Sequence, residues 1–476
     1  MLGSSMAFID SSAVGVALPA IQRQLGAGAA SAQWIVNAYL LILGSLVLVG
    51  GAAGDRFGRR RVFMIGVALF GAASLLCGLS PSVPVLVAAR ALQGLAAALL
   101  APNSLALLGS AFSEKERGRA FGAWAGFAAL TSALGPPFGG WLTDAVSWRA
   151  VFLINLPLAC VTLIVTRQSV PESRDPAAGR LDWVGAGLVT LGLGALTWGL
   201  TAAPDRGFRD AAVLGALASG VLLLATFLWS EARARAPMMP LSLFHSKTFS
   251  GANLLTLLLY FAMGGMFFFL PFDLIGAQAY SATQAGAALL PFSLVMGGFS
   301  RLAGRLADRT GPRVQLAVGA TIAGAGLLLI GIVPLGTPYP FGLLPALLVL
   351  AAGMTLAVGT LTSTVMGSVD QRHVGVASGI NNAVARVAGL LAIAVLGVLL
   401  SAAFTRSIAG IAAGREARAL LAATMAGEAI PGVEGLREHF HGALGRVMRV
   451  AGACAVLGGL SAFFTIERGK PLPRTG

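Results

Sequence analysis

Residues 51–62 read GAAGDRFGRRRV, and residues 304–315 read GRLADRTGPRVQ. The two stretches match at Gly51 and Gly304, Asp55 and Asp308, Arg56 and Arg309, and Gly58 and Gly311, with Arg59 replaced by Pro312 in the second copy. Each is a short charged hinge between long apolar runs. Two such hinges, 253 residues apart, point to a chain made of two similar halves. In an apolar chain, halves of this kind can rock against each other around a central site.

Composition leads to the same reading. The 476 residues are 56% hydrophobic and only 11% charged, with a mean hydropathy of +0.82. Soluble domains carry about 25% charged residues. The expected fold is therefore an all-α integral membrane protein. Apolar runs long enough to span fall at about 2–21, 34–53, 62–79, 83–111, 119–143, 151–166, 181–201, 211–230, 249–272, 283–300, 314–333, 341–365, 374–403 and 444–465. Because the hinges occupy the second and tenth gaps, six spans repeat and two are extra. The expected units are residues 1–167, linkers with the two extra spans at 168–248, and residues 249–476. The first run ends in a cleavage-like ALPA at 17–20, but it lacks a basic flank and carries Asp10, so a retained span is expected. It begins almost at residue 1, which leaves room for a longer native N-terminus.

Even-numbered gaps and the C-terminal tail hold 21 of the 33 Lys and Arg residues, odd-numbered gaps hold ten, and Arg90 and Arg386 lie inside spans. The even side and both termini are thus expected in the cytosol of a bacterial inner membrane. Topology accounts for the net charge of +14 without nucleic-acid binding, which calls for a clustered basic face. Cys77, Cys160 and Cys454 lie in apolar runs without metal spacing. His439 and His441 are read in the long gap at about 404–443, which is expected to carry a surface helix. No metal site or cofactor is expected. Nor is there a GxxxxGK[ST], HExxH, CxxC or GxSxG motif, so neither ATP hydrolysis nor an enzymatic reaction is indicated.

Two charges lie deep in their spans. Asp10 sits in AFIDSSAVGVALP, where a carboxylate costs several kcal/mol unless paired, hydrated or protonated. Arg90, in LVAARALQGLAAA, starts about 10 Å inside its span at 1.5 Å per residue, near enough in depth to pair with Asp10. Such a pair would be a two-state element biased by a proton. Asp273 in span 9 is a further acid, read either as an attractor of cationic substrate or as a solvated rim residue. Arg386 in span 13 is the buried cation of the second half, beside Asn381 and Asn382. Tyr260, Met263, Met266, Phe267, Phe268 and Phe269 crowd span 9, and a subset is expected to line an apolar pocket. In span 5, Gly122 and Gly126, then Thr131, Gly135 and Gly139, recur every four residues around Pro136 and Pro137. Small residues at that spacing let another helix approach closely. Asp55 and Asp308 are expected to cap helices or to pair with arginines of neighbouring spans.

Together these stretches resemble the major facilitator superfamily, and within it the fourteen-span drug:proton antiporters of the EmrB/QacA type. The hinge GAAGDRFGRR is similar to that family's loop between spans 2 and 3, and RALQG to its span-4 arginine motif. ALGPPFGGW is similar to its span-5 antiporter motif, at Gly135, Pro136, Gly139 and Gly140, with Thr131 where that motif opens on Gly. FIDSSAVGVALP resembles the span-1 signature, with Gly15 in place of Asn, and SWRAVFLINLP the start of span 6. The resemblance implies proton-coupled efflux of small amphipathic or hydrophobic compounds by a monomer in the lipid bilayer, with Asp10 and Arg90 carrying the proton coupling. A dedicated exporter of one endogenous metabolite, such as an antibiotic or siderophore, is the near alternative. Proton-coupled uptake and a non-transporting sensor or scaffold are more distant ones.

Overall fold

The computed structural model describes residues 2–112, 114–175, 181–234, 237–370, 373–428 and 435–467. The first half comprises α1 (Leu2–Leu25), α2 (Ala29–Phe57), α3 (Arg59–Gly78), α4 (Val83–Ala111), α5 (Glu114–Ala145), α6 (Trp148–Leu153) and α7 (Asn155–Ser169). Two helices follow, α8 (Trp183–Arg206) and α9 (Ala211–Arg233). The second half comprises α10 (Lys247–Phe272), α11 (Ala282–Ala288), α12 (Leu290–Thr310), α13 (Pro312–Ile330), α14 (Leu343–Gly367), α15 (Val374–Ser407), α16 (Gly414–Ala426) and α17 (Leu436–Thr465). Among the described residues, thirteen helical segments are long and apolar enough to cross a membrane, with α6–α7 and α11–α12 each acting as one broken span. The 32 residues of α5, about 48 Å at 1.5 Å per residue, supply a fourteenth.

The fold is thus two pseudo-symmetric six-helix bundles plus two extra helices. The last span begins at Leu436, eight residues before the apolar run, so His439 and His441 lie on a helix and not in a loop. The expected surface helix is α16. It buries Ala417, Leu420, Leu421 and Met425, exposes Arg415 and Glu416, and pairs Arg418 with Asp205 at 3.0 Å.

Within the first half, α1 packs on α4, α5, α6 and α7, while α2 and α3 clasp α4. In the second, α10 lies between α15 and α17, and α13 between α14 and α17. The halves meet along α2 against α15, and at α5 against α11 and α12. The extra pair lies outside this seam. Leu193 of α8 packs with Leu41 of α2 and Leu390 of α15, and α9 rides on α8 with Leu214, Val221 and Leu222 exposed.

The hinge backbones are alike. Gly58 closes α2 at φ 105° and Gly311 closes α12 at φ 79°, both in a region that favours glycine. Their surroundings differ. At the first hinge Glu172 accepts the amides of Arg60 and Arg61 at 2.9 and 3.1 Å, capping α3. Its carboxyl fills the space that a Cβ at Gly58 would need. Asp55, in the last turn of α2, pairs at 2.8 Å with Arg59, the first residue of the neighbouring span α3. Arg56 is exposed and lies over Phe57. At the second hinge Gln315 holds the turn through the carbonyls of Ala303 and Leu356, and Arg309 is exposed. The Asp308 side chain lies outside the described residues.

Candidate functional site

Asp10 and Arg90 meet. Both are buried, at 0% and 1% exposed, and Arg90 Nη1 donates to Asp10 Oδ2 at 2.5 Å. The contact is part of a web drawn from five helices. Gln93, one turn beyond Arg90, donates to the other Asp10 oxygen at 2.9 Å and to Ser74 of α3, also at 2.9 Å. Asn155 of α7 donates to Ser74 at 3.3 Å. Arg90 Nη1 also donates to Gln93 Oε1 at 2.6 Å, and its Nε to the Ile35 carbonyl of α2 at 3.1 Å. The guanidinium lies 4.4 Å from the ring centre of Tyr39 and 5.8 Å from that of Phe152. Such cation–π contacts gain strength away from water.

A buried ion pair is weak evidence for stability, because desolvating both charges offsets their attraction. What the web offers is a set of alternative partners. Protonating Asp10 removes the charge that Arg90 and Gln93 converge on. Arg90 keeps the Ile35 carbonyl and Gln93 Oε1, and Gln93 keeps Ser74. A proton on Asp10 would change the bonding between α1 and α4 and leave each donor an acceptor, while the Arg90 charge would keep the Ile35 and Gln93 oxygens and the rings of Tyr39 and Phe152.

Arg386 of α15 has a different setting. Its Cβ packs at the position of Gly44 on α2, where the halves touch, and its charge is within electrostatic reach of Tyr39 and Tyr260. Among the described residues it makes no hydrogen bond or ion pair, and it is half-buried. Tyr39 therefore has Arg90 on one side and Arg386 within electrostatic reach. Asn381 does not join Arg386; its amide donates to Asn253 and Thr256 of α10 at 3.2 and 2.6 Å. Asn382 is exposed and donates to Ser378 on its own helix.

Asp273 is neither a rim residue nor a free acid. It is 1% exposed, in a π-helical turn after α10, and accepts from Gln278 at 2.8 Å and contacts His441 Nδ1 at 2.9 Å. The other ring nitrogen of His441 lies 2.8 Å from the Val333 carbonyl. Of the span-9 aromatic and methionine residues, Met263, Met266, Phe268 and Phe269 are core, Tyr260 is half-buried, and Phe267 is 39% exposed.

Span 5 forms the seam. A Cβ at Gly135 or Gly139 would run into Ser12 or Ala13 of α1, and one at Gly140 into the Ala282–Thr283 backbone of α11. Gly286 of α11 abuts the Pro136–Pro137 backbone in return. The α5 helix runs through both prolines. Thr131 bonds back to Phe127 at 2.9 Å, and Gly126 faces open space. At the end of α5, Asp144 accepts from the amide and hydroxyl of Thr283 at 2.8 and 2.7 Å, and from the Ala282 amide. This clamp joins the halves at the odd-gap end, where Arg23 of α1 also donates to the Ala426 carbonyl of α16 at 3.0 Å. Toward the even-gap end, Gly126 of α5 and Gly297, Gly298 and Gly304 of α12 face no neighbour. Among the described residues, the halves are tightly sealed at the odd end along α5 and α11.

A family model described as Major Facilitator Superfamily matches residues 1–393. The chain is 35% identical to the multidrug resistance protein Stp of Mycobacterium tuberculosis (strain CDC 1551 / Oshkosh), and 37% identical to the tetracenomycin C resistance and export protein of Streptomyces glaucescens. Each match covers 84% of this chain and 74% of the relative. It is 36% identical to the methylenomycin A resistance protein of Bacillus subtilis (strain 168), over 84% of this chain and 86% of the relative. Among solved structures, a bacterial homologue of the human lysosomal transporter Spinster superposes with a TM-score of 0.69 at 17% identity, over 99% of this chain and 97% of the other.

Proposed function

Because the chain belongs to the Major Facilitator Superfamily, whose similar members are exporters of drugs and antibiotics, we propose that it is a proton-coupled antiporter. It exports small amphipathic or hydrophobic compounds by alternating access. The observation that carries proton coupling is the burial of Asp10 between Arg90 and Gln93, a carboxylate that changes partners when it takes a proton. With the even side cytosolic, Asp10 releases its proton and substrate enters in the state open to the cytosol. Units 1–167 and 249–476 rock about the site, with 168–248 riding outside. The Asp144–Thr283 clamp and the α1–α5–α11 seam close the outer path in this state. Arg386, an uncompensated cation beside Tyr39, faces the substrate path and favours compounds with an anionic or phenolic group.

The energetics suffice with one acid. A charge crossing 100 mV supplies about 2.3 kcal/mol and each pH unit about 1.4 kcal/mol, so one proton sustains substrate gradients on the order of a hundredfold.

The reading is tested by susceptibility to a chemically diverse panel in an efflux-deficient host, comparing wild type, Asp10→Asn and empty vector at matched membrane expression. Broad protection that disappears with Asp10→Asn is the expected result. Protection against a single class would indicate a dedicated exporter. Protection that survives Asp10→Asn would remove the coupling role from Asp10.

A further inference from the structure

The two extra helices hold an acid pair that the transport reading does not use. Asp182 caps α8, its Oδ1 accepting the Gly185 amide at 2.8 Å. Glu231 lies in the last turn of α9, 3% exposed, and its Oε2 accepts the Met239 amide at 2.7 Å. The other oxygen of each carboxyl, Asp182 Oδ2 and Glu231 Oε1, is buried and has no donor among the described residues. These two oxygens share one notch, since a Cβ at Gly185 would touch both, and the two carboxyls act on each other electrostatically.

Two ionised carboxylates in that position repel each other, and each would keep an unsatisfied buried oxygen. A single proton between them resolves both problems, since one carboxyl then donates to the other. Among the described residues nothing else nearby does so; Arg180 lies outside them. Among the described residues neither acid has an ion pair. Arg233, two residues on, lies with its guanidinium 4.2 Å over the Trp229 ring. The segment packed against Glu231 presents the amides of Met238 and Met239, and Arg235 lies outside the described residues.

We propose that Asp182 and Glu231 share one proton, forming a proton-binding site at the even-gap ends of α8 and α9, separate from Asp10. The proton ties α8 to α9 and keeps Glu231 on the Met239 amide, which pins residues 237–246 as they lead into α10. Losing it sets two negative charges face to face, parts the helix ends and frees that segment. The site senses proton concentration on the even side and passes it to the connection between the halves.

The test uses the purified full-length protein in nanodiscs, titrated toward alkaline pH. Infrared difference spectra follow protonated carboxyl groups, and hydrogen exchange follows peptides covering 237–246. Glu231→Gln keeps a donor facing Asp182, and Asp182→Asn keeps a good helix cap, so each is a conservative variant. The wild type should show a protonated-carboxyl band that both variants lack. As pH rises, that band and the protection of 237–246 should vanish together, while Glu231→Gln stays protected throughout. The proposal is overturned if the band is the same in wild type and both variants. It is equally overturned if protection at fixed pH follows sodium or potassium, because the notch would then hold a metal cation.

Discussion

The first half buries its deep charges as a closed pair, and the second leaves its deep cation open. Arg90 has a carboxylate, a glutamine, a carbonyl and two rings around it, whereas Arg386 sits half-buried with no hydrogen bond or ion pair among the described residues. The described residues of the hinges differ as well. Glu172 and the Asp55–Arg59 pair fasten the first, and a glutamine holds the second. Pseudo-symmetry of the backbone thus does not extend to electrostatics. A closed pair suits a proton switch, which must have two satisfied states. An open cation suits a ligand that arrives and leaves.

The sharpest way to break the comparison is to truncate both arginines. Arg90→Ala strands Asp10 as a buried charge and should cost about 3–5 kcal/mol. Arg386→Ala removes no polar partner and should cost less than about 1 kcal/mol while altering substrate preference. Thermal unfolding of the two purified variants reads the difference, and equal losses would refute the contrast.

A smaller effect is expected at the clamp. Asp144→Asn weakens a charge-assisted cap that joins the halves, at a cost of about 1–3 kcal/mol to the state closed at the odd end. Spin-label distances between the odd ends of α5 and α11 should then widen. Unchanged distances would mean that the glycine seam alone closes that end.

Glu172→Ala should cost about 0.5–2 kcal/mol, the usual range for losing a helix cap, and should loosen the first hinge toward the state of the second. Amide exchange at the start of α3 measures it.

The smallest effect concerns Gly304 and its counterpart Gly51. A Cβ at Gly304 meets nothing, and one at Gly51 makes only ordinary contact with Pro102 at 3.5 Å. Alanine at either site should shift stability by no more than about 1 kcal/mol, and in the favourable direction by helix propensity. If transport nevertheless falls, these glycines serve the state closed at the even end.

How much of this the sequence carried depends on the kind of residue. The spans were legible because twenty apolar residues in a row have few alternative uses. The meeting of Asp10 and Arg90 was legible from depth, since a charge inside a span seeks its opposite. Ser74, Tyr39 and Asn155 were not picked out. Uncharged polar residues are common in helices, and only packing decides which of them share a face. The burial of Asp273 was not legible because its partner, His441, lies 168 residues away on a turn of α17 that precedes the apolar run. Asp144 and Glu172 escaped notice because an acid at a span's end looks like ordinary loop charge until the opposing helix terminus is in place.

The central claim is that Asp10 moves the proton that drives export. The direct measurement is proton flux in liposomes containing purified protein, triggered by a compound against which the wild type protects cells. Wild type should move protons against the compound's flow, and Asp10→Asn should bind the compound with no proton movement. Undiminished proton flux in Asp10→Asn would contradict the account.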